Sequence, residues 1–145
     1  MSRLFTAGAG LTLVTLIASV AVPNYRVATN RSAEKRTMAD IRSIATAWEA
    51  RADDVHSYAV APPGRAVTTT DLARALSPKY IRTFPRVDGW GTEYQFTANA
   101  DSYSIRSLGN DHKNDRAEAS GPTSNFASDI IYSDGSFVQY PEGAG

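Results

Sequence analysis

The hydrophobic pattern of the chain begins with one long uncharged segment. Residues 4–22 contain no charged side chain; Arg3 precedes them and Pro23 follows them. As a helix these 19 residues extend about 28 Å, close to the hydrocarbon thickness of a bilayer. Because so much apolar surface is unfavourable in water, we expect the segment to lie in lipid, to pack against partner chains or to be removed.

Removal as a secretory signal peptide is the main alternative for this segment. A basic start, an apolar centre and Ser19-Val20-Ala21 together match the pattern of a signal with a small-x-small cleavage site. A mature secreted domain usually begins with an unrelated segment, whereas here a helical pattern continues directly after Pro23. The two hypotheses at this point are a retained apolar helix and a secreted or periplasmic binding module.

The second pattern is amphipathic and covers residues 24–58, which contain neither Gly nor Pro. From Met38 onward its apolar positions recur in steps of three or four, which is typical of one face of a helix. A helix that continues from Leu4 to Tyr58 would be about 80 Å long. We expect Ile41, Ile44 and Trp48 to pack this stem helix against a sheet.

The third pattern, over residues 59–145, predicts a small globular head of mixed structure. Thr69 or Thr70 can cap a short helix that ends at Leu76, with Asp71 in its first turn. Alternating polar and apolar positions predict strands at 94–96 and 103–108.

A hairpin is predicted near the end of the chain. Its strands are 130–132 and 137–140, and Asp134-Gly135 favours the positive φ angles of its turn. Residues 109–128 are polar and are predicted to form a loop. The chain therefore divides into an apolar helix (1–23), a stem helix (24–58) and an α+β head (59–145).

Composition narrows the possible chemistry. Fifteen basic and fifteen acidic side chains cancel, so no strong field favours nucleic acid as a partner. The chain has no Cys, which excludes disulfides, thiolate nucleophiles and Cys-based zinc sites. Its two His residues belong to no recognisable catalytic motif, and we do not expect an enzyme.

Several short motifs occur in an order that is specific in combination. They are AVPNY at 21–25, LSPKYI at 76–81, DGWGTEYQF at 88–96, YSIRSLGND at 103–111 and SDI at 128–130. With the apolar helix before them, they make the chain resemble the major pseudopilin of type II secretion systems and, more broadly, the type IV pilin-like proteins. The likeness extends over most of the chain.

The resemblance implies a pilin-like α+β fold, in which a long N-terminal helix packs on a small antiparallel sheet. It also implies a structural subunit that passes once through the bacterial inner membrane, with its head in the periplasm, before it joins a helical filament. Other secretion or pilus components would then be its partners. Arg3 would lie on the cytoplasmic side. The residues expected to pack between subunits are Val14, Leu16, Ile17, Val20 and Pro23.

The same resemblance implies a calcium ion in the loop after Ser107-Leu108-Gly109. Calcium takes six to eight oxygen ligands from carboxylates and carbonyls. The motif assigns Leu108, Asp111 and Asp129 as ligands, and Asp115 is a further candidate. The alternative is a solvated loop without metal, because basic side chains at 112, 113 and 116 lie among these carboxylates.

Overall fold

The computed structural model describes residues 2–115 and 120–143, with side chains at 17, 19 and from 21 onward. The described chain is α+β, as predicted, with a long helix and a five-stranded mixed sheet. The helices are α1 (Ser2–Val55) and α2 (Thr69–Leu76). The strands are β1 (Gln95–Ala98), β2 (Tyr103–Ser107), β3 (Gly121–Thr123), β4 (Ile130–Ser133) and β5 (Ser136–Pro141).

The chain divides into two compact units. The first ends at Ser32 and the second begins at Ala33. In the first unit the described chain is helical, Pro23 lies inside α1, and residues 21–29 are all exposed. In the second unit the remaining part of α1 contributes one buried face to a core that it shares with the sheet.

The sheet has the order β1-β2-β4-β5-β3. Three of its pairs are antiparallel, but β3 runs parallel to β5, so the expectation of a purely antiparallel sheet is wrong. The difference arises within residues 109–128, which were expected to be a loop throughout. The sequence of β3 is Gly-Pro-Thr, which has no alternating pattern, and Pro122 suits an edge strand because it cannot donate a ladder hydrogen bond.

The stem helix ends at Val55 rather than at Tyr58, since His56 has a φ of 56°. Tyr58 leaves the helix and stacks on Tyr103 with ring centres 4.7 Å apart. Its carbonyl accepts a 2.9 Å hydrogen bond from Trp48 Nε1. The turn that follows α1 is therefore held against the core by the same tryptophan that anchors the helix.

The short helix α2 has the predicted end, but its cap is one residue earlier than expected. Thr68 Oγ1 accepts a 3.1 Å hydrogen bond from the Asp71 amide, and Asp71 Oδ2 accepts one from the Thr68 amide at 3.1 Å. This reciprocal capping box satisfies two backbone donors at the helix start. Asp71 lies in the first turn, as predicted.

The core lies between α1 and the sheet. Ile41, Ile44 and Trp48 have no exposed surface. The Trp48 ring lies 4.9 Å from that of Tyr103 and 6.1 Å from that of Phe96, between centres. These contacts fix the stem to the head over the part of α1 that follows Ala33.

A tight turn before β1 packs directly against α1. The Gly89 amide donates a 2.8 Å hydrogen bond to Thr37 Oγ1. Asp88 supports the turn: Oδ1 accepts from the Trp90 and Thr92 amides at 3.0 Å, and Oδ2 accepts from Ser107 Oγ at 2.6 Å. A Cβ at Gly89 would lie 2.3 Å from the Ala33 carbonyl oxygen, so no larger residue fits between the turn and the helix.

We expect Gly89→Ala to destabilise the protein by about 3 kcal/mol, because the clash is with helix backbone that cannot move aside. Gly91→Ala is the matched control: a Cβ there meets nothing within 4 Å, and only the φ of 84° is unfavourable, at a cost of about 1 kcal/mol. Urea unfolding of the full chain in mild detergent, followed by circular dichroism, measures both. Equal losses in the two variants would contradict the steric explanation.

Candidate functional site

Two regions contain the residues that the sequence singled out, and each is described by itself. The first is the exposed part of α1 before Ser32. Ile17 is 61% exposed, Val22 50% and Tyr25 73%, and Pro23 is also exposed. Val14, Leu16 and Val20 lie outside the residues whose side chains the structure describes. Within the described residues, no helix meets the length and hydropathy needed to cross a bilayer.

Single exposed apolar side chains are ordinary, but several in one short segment are typical of an interaction surface. Ile17, Val22, Tyr25 and Val27 occur within 11 residues of α1 and are all at least 40% exposed. After Ala33 the large apolar side chains of the same helix are instead buried as far as Trp48. The described apolar side chains of α1 are therefore exposed from Ile17 to Val27 and buried from Met38 to Trp48.

The second region is the loop between β2 and β4, where the expected calcium ligands lie. Asp129 is fully buried, and its Oδ2 lies 2.5 Å from the Arg106 guanidinium. Asp115 and Asp129 are joined reciprocally: each backbone amide donates to the carboxylate Oδ2 of the other, at 3.1 and 3.0 Å. The Arg106 guanidinium also donates to Asn114 Oδ1 at 3.3 Å.

The fold thus brings together two of the four expected ligands. Asp111 accepts a 3.0 Å hydrogen bond from the Lys113 amide in a local turn. Leu108 is buried beside Gly109, and no described contact joins it to the two paired carboxylates. Among the described residues, no group of three or more acidic or histidine side chains is placed to hold a metal ion.

Two buried oxygens near this cluster have no partner in the described part of the chain. They are Asp129 Oδ1 and Gln139 Oε1. Gln139 Nε2 donates a 2.7 Å hydrogen bond to the Asp129 carbonyl, so the two side chains are neighbours. Buried acceptors without donors are costly, and these two oxygens are where a water molecule or a cation would be favourable.

The electrostatics of Asp129 reflect its burial. Desolvation raises the pKa of its carboxyl, and the charge of Asp115 adds to that rise. The hydrogen bonds from Arg106 and from the Asp115 amide oppose the rise and favour the charged form. Arg106 therefore compensates much of the cost of a buried carboxylate at this position.

Sequence reasoning missed Arg106 and Gln139. It considered only the basic residues inside the loop, whereas Arg106 comes from β2 and Gln139 from β5. The sequence contained one indication of a role for Arg106, because it is the only charged residue of β2, whose apolar and polar positions alternate. Nothing in the local pattern indicates that this strand lies beside the acidic loop.

In comparisons with known proteins, no family model, no curated protein and no solved structure matches the chain significantly.

We expect Arg106→Gln to cost about 3 kcal/mol of stability at neutral pH, because it leaves a fully buried carboxylate without its cation. The raised pKa of Asp129 sets the pH dependence. Since the folded form holds its proton to higher pH than the unfolded form, the charge is costly only above the ordinary value of 3.8. The defect should therefore shrink as the pH falls toward 4.

The matched control is Lys79→Gln, which removes the cation of an exposed pair with Asp54 at 2.8 Å. Exposed ion pairs contribute little, so this variant should unfold at nearly the wild-type urea concentration. If both variants lose the same stability, or if the Arg106→Gln defect grows on acidification, the account of the buried pair is wrong.

Proposed function

We propose that this chain is the structural subunit of a pilin-like helical filament, either a type II secretion pseudopilus or a type IV pilus. One observation carries the proposal. Large apolar side chains of α1 before Ser32, including Ile17 and Tyr25, are exposed in the isolated chain. Burial of such a surface in lipid or against other apolar chains is favourable. A filament subunit provides both environments: lipid before assembly and neighbouring helices after it.

The packing of the second unit supports this role. Both units contain part of α1, which has the bounds Ser2–Val55. The stem is attached to the sheet through Ile41, Ile44 and Trp48. A head that is joined in this way to an apolar helix can be carried by that helix into a larger assembly.

Before assembly, we infer, the subunit passes once through the bacterial inner membrane, with Arg3 on the cytoplasmic side and the head in the periplasm. Its main partners are copies of itself, and other secretion or pilus components are the further ones. The proposed role is structural: it requires no catalytic group and no nucleic acid.

The alternative is a secreted or periplasmic binding module whose first residues are removed. It is favoured by the small-x-small sequence Ser19-Val20-Ala21. N-terminal sequencing of the mature protein distinguishes the two. A start at Val22 supports the module and overturns the filament, whereas a retained apolar segment supports the filament.

We expect full-length protein to assemble when detergent is removed, and Ile17→Asp to abolish assembly, because the change buries a charge in an apolar interface. Ile17→Leu is the matched control and should assemble like the wild type. Electron microscopy of the assembled protein, and of sheared cell-surface material, checks both. Wild-type protein that stays monodisperse without detergent would refute the proposal.

We also propose that the loop between β2 and β4 binds calcium. Asp115 and Asp129 would hold the ion, with Gln139 Oε1 as a neighbouring acceptor; Leu108 and Asp111 join them by resemblance. The supporting observation is the unpartnered, buried Asp129 Oδ1. A bound calcium ion would supply positive charge between the carboxylates and so stabilise the loop. Arg106 already supplies part of that charge, so calcium competes with its guanidinium.

The competition gives a specific expectation for calcium. Millimolar Ca²⁺ should raise the melting temperature of Arg106→Gln by more than that of the wild type, because the variant leaves both carboxylates to the ion. Asp129→Asn combined with Arg106→Gln should lose the effect, and Mg²⁺ should not reproduce it. Calorimetry of the full chain in detergent measures these shifts. Absence of any calcium effect in both proteins would remove calcium from the account and leave the filament proposal intact.

A further inference from the structure

The charges of α1 are separated along its length. Five basic side chains and two acidic ones lie between 24 and 42, whereas three acidic ones and one basic one lie between 43 and 55. The separation gives a helix with a basic stretch and then an acidic stretch. When parallel copies of such a helix lie side by side with an axial displacement, opposite charges come together.

Most of these charges already have partners within the same chain. Arg36 lies 3.7 Å from Asp40, and Arg42 lies over the Phe137 ring, 5.2 Å from its centre. Asp54 is held by Lys79. Among the side chains in the second unit, Lys35 and Asp53 are both exposed and form no ion pair with any described residue.

Lys35 and Asp53 have a simple geometric relation. They are 18 residues apart on α1, which is five full turns, so they lie on the same face about 27 Å apart along the axis. They cannot reach each other within one chain. A second helix displaced by that length would place its Asp53 beside the Lys35 of the first.

The surroundings of Asp53 favour an incoming cation. Burial raises the pKa of the Tyr58 phenol, and the nearby charges of Glu49, Asp53 and Asp134 raise it further. The nearest cation on the helix, Arg51, is occupied by the Ser57 and Ala59 carbonyls at 3.3 and 3.4 Å. The exposed Asp53 carboxylate therefore has acidic neighbours and no ion-pair partner among the described residues.

We propose that Lys35 of one copy pairs with Asp53 of a second, parallel copy displaced by about 27 Å along the helix axis. The inference rests on the proposed filament and specifies a contact within it. Exposed Ala39 and Thr46 lie between the two positions and let the helix backbones approach. The pair fixes the axial register, which uniform apolar packing leaves undefined.

Absence of Cys from the chain permits a direct test by crosslinking. In the double variant Lys35→Cys, Asp53→Cys, the two thiols of one chain are about 27 Å apart, far beyond the reach of a disulfide. Mild oxidation of assembled full-length protein should give a ladder of dimers, trimers and higher species on a non-reducing gel. Either single variant should stay monomeric on the gel, because in this register equal positions of the two copies are also about 27 Å apart along the axis.

The double variant Arg36→Cys, Asp54→Cys is the matched control. Its positions are also 18 residues apart and exposed, with side-chain exposures of 63% and 51%. They lie on a neighbouring face, and both side chains are already paired within the subunit. We expect no ladder from it. A ladder of equal length from this control would overturn the proposed register.

Charge exchange provides a second measurement if the cysteine variants fail to assemble. Lys35→Asp or Asp53→Lys alone should lower filament yield about tenfold, since each places like charges together. The double exchange should restore the yield. Wild-type filaments with neither a Lys35/Asp53 ladder nor recovery in the double exchange would refute this pairing alone. Absence of filaments from the wild type would instead refute the proposed function.

Discussion

Trp48 lies where the stem helix meets the sheet, and the rest of the structure depends on its burial. Its ring is covered by Phe96 and Tyr103, and its indole N–H is satisfied by the Tyr58 carbonyl. A large aromatic side chain buried with its polar atom paired contributes both apolar area and a fixed orientation. Ile41 and Ile44 extend the same buried face. This contact commits one side of the helix to the head and leaves the other side to solvent or to partners.

The side of α1 that does not pack against the sheet is available for contacts with other molecules. The Gly89 turn closes the contact with the helix at Ala33 and Thr37, which is where the second unit begins. On the exposed side, Lys35 and Asp53 lie five turns apart, and neither forms an ion pair with any described residue. Before Ser32, large apolar side chains are exposed where the structure describes them. In an assembly of parallel copies, the apolar side chains would be buried and Lys35 and Asp53 would be paired. The filament proposal depends on this combination.

The segment between β2 and β4 illustrates two ways to stabilise a buried carboxylate. Arg106 brings a fixed cation to Asp129, while Asp115 and Asp129 accept each other's backbone amides. A metal ion would serve the same purpose with oxygen ligands alone. The Arg106 guanidinium and a calcium ion would each supply positive charge to the same carboxylate. In the calcium proposal the two cations therefore compete for Asp129.

The sequence by itself determined the elements with strong local patterns. The stem helix follows from apolar steps of three and four residues, the Asp134-Gly135 hairpin from its turn residues, and α2 from Asp71 in its first turn and its end at Leu76. Tertiary structure decided what local pattern cannot encode. The parallel strand β3 is three residues long and exists only because β5 offers an edge. Arg106 approaches Asp129 from β2, 23 residues earlier, and Gln139 approaches it from β5, ten residues later. Which side chains meet a buried charge depends on which strands become neighbours, and that is decided by the whole sheet.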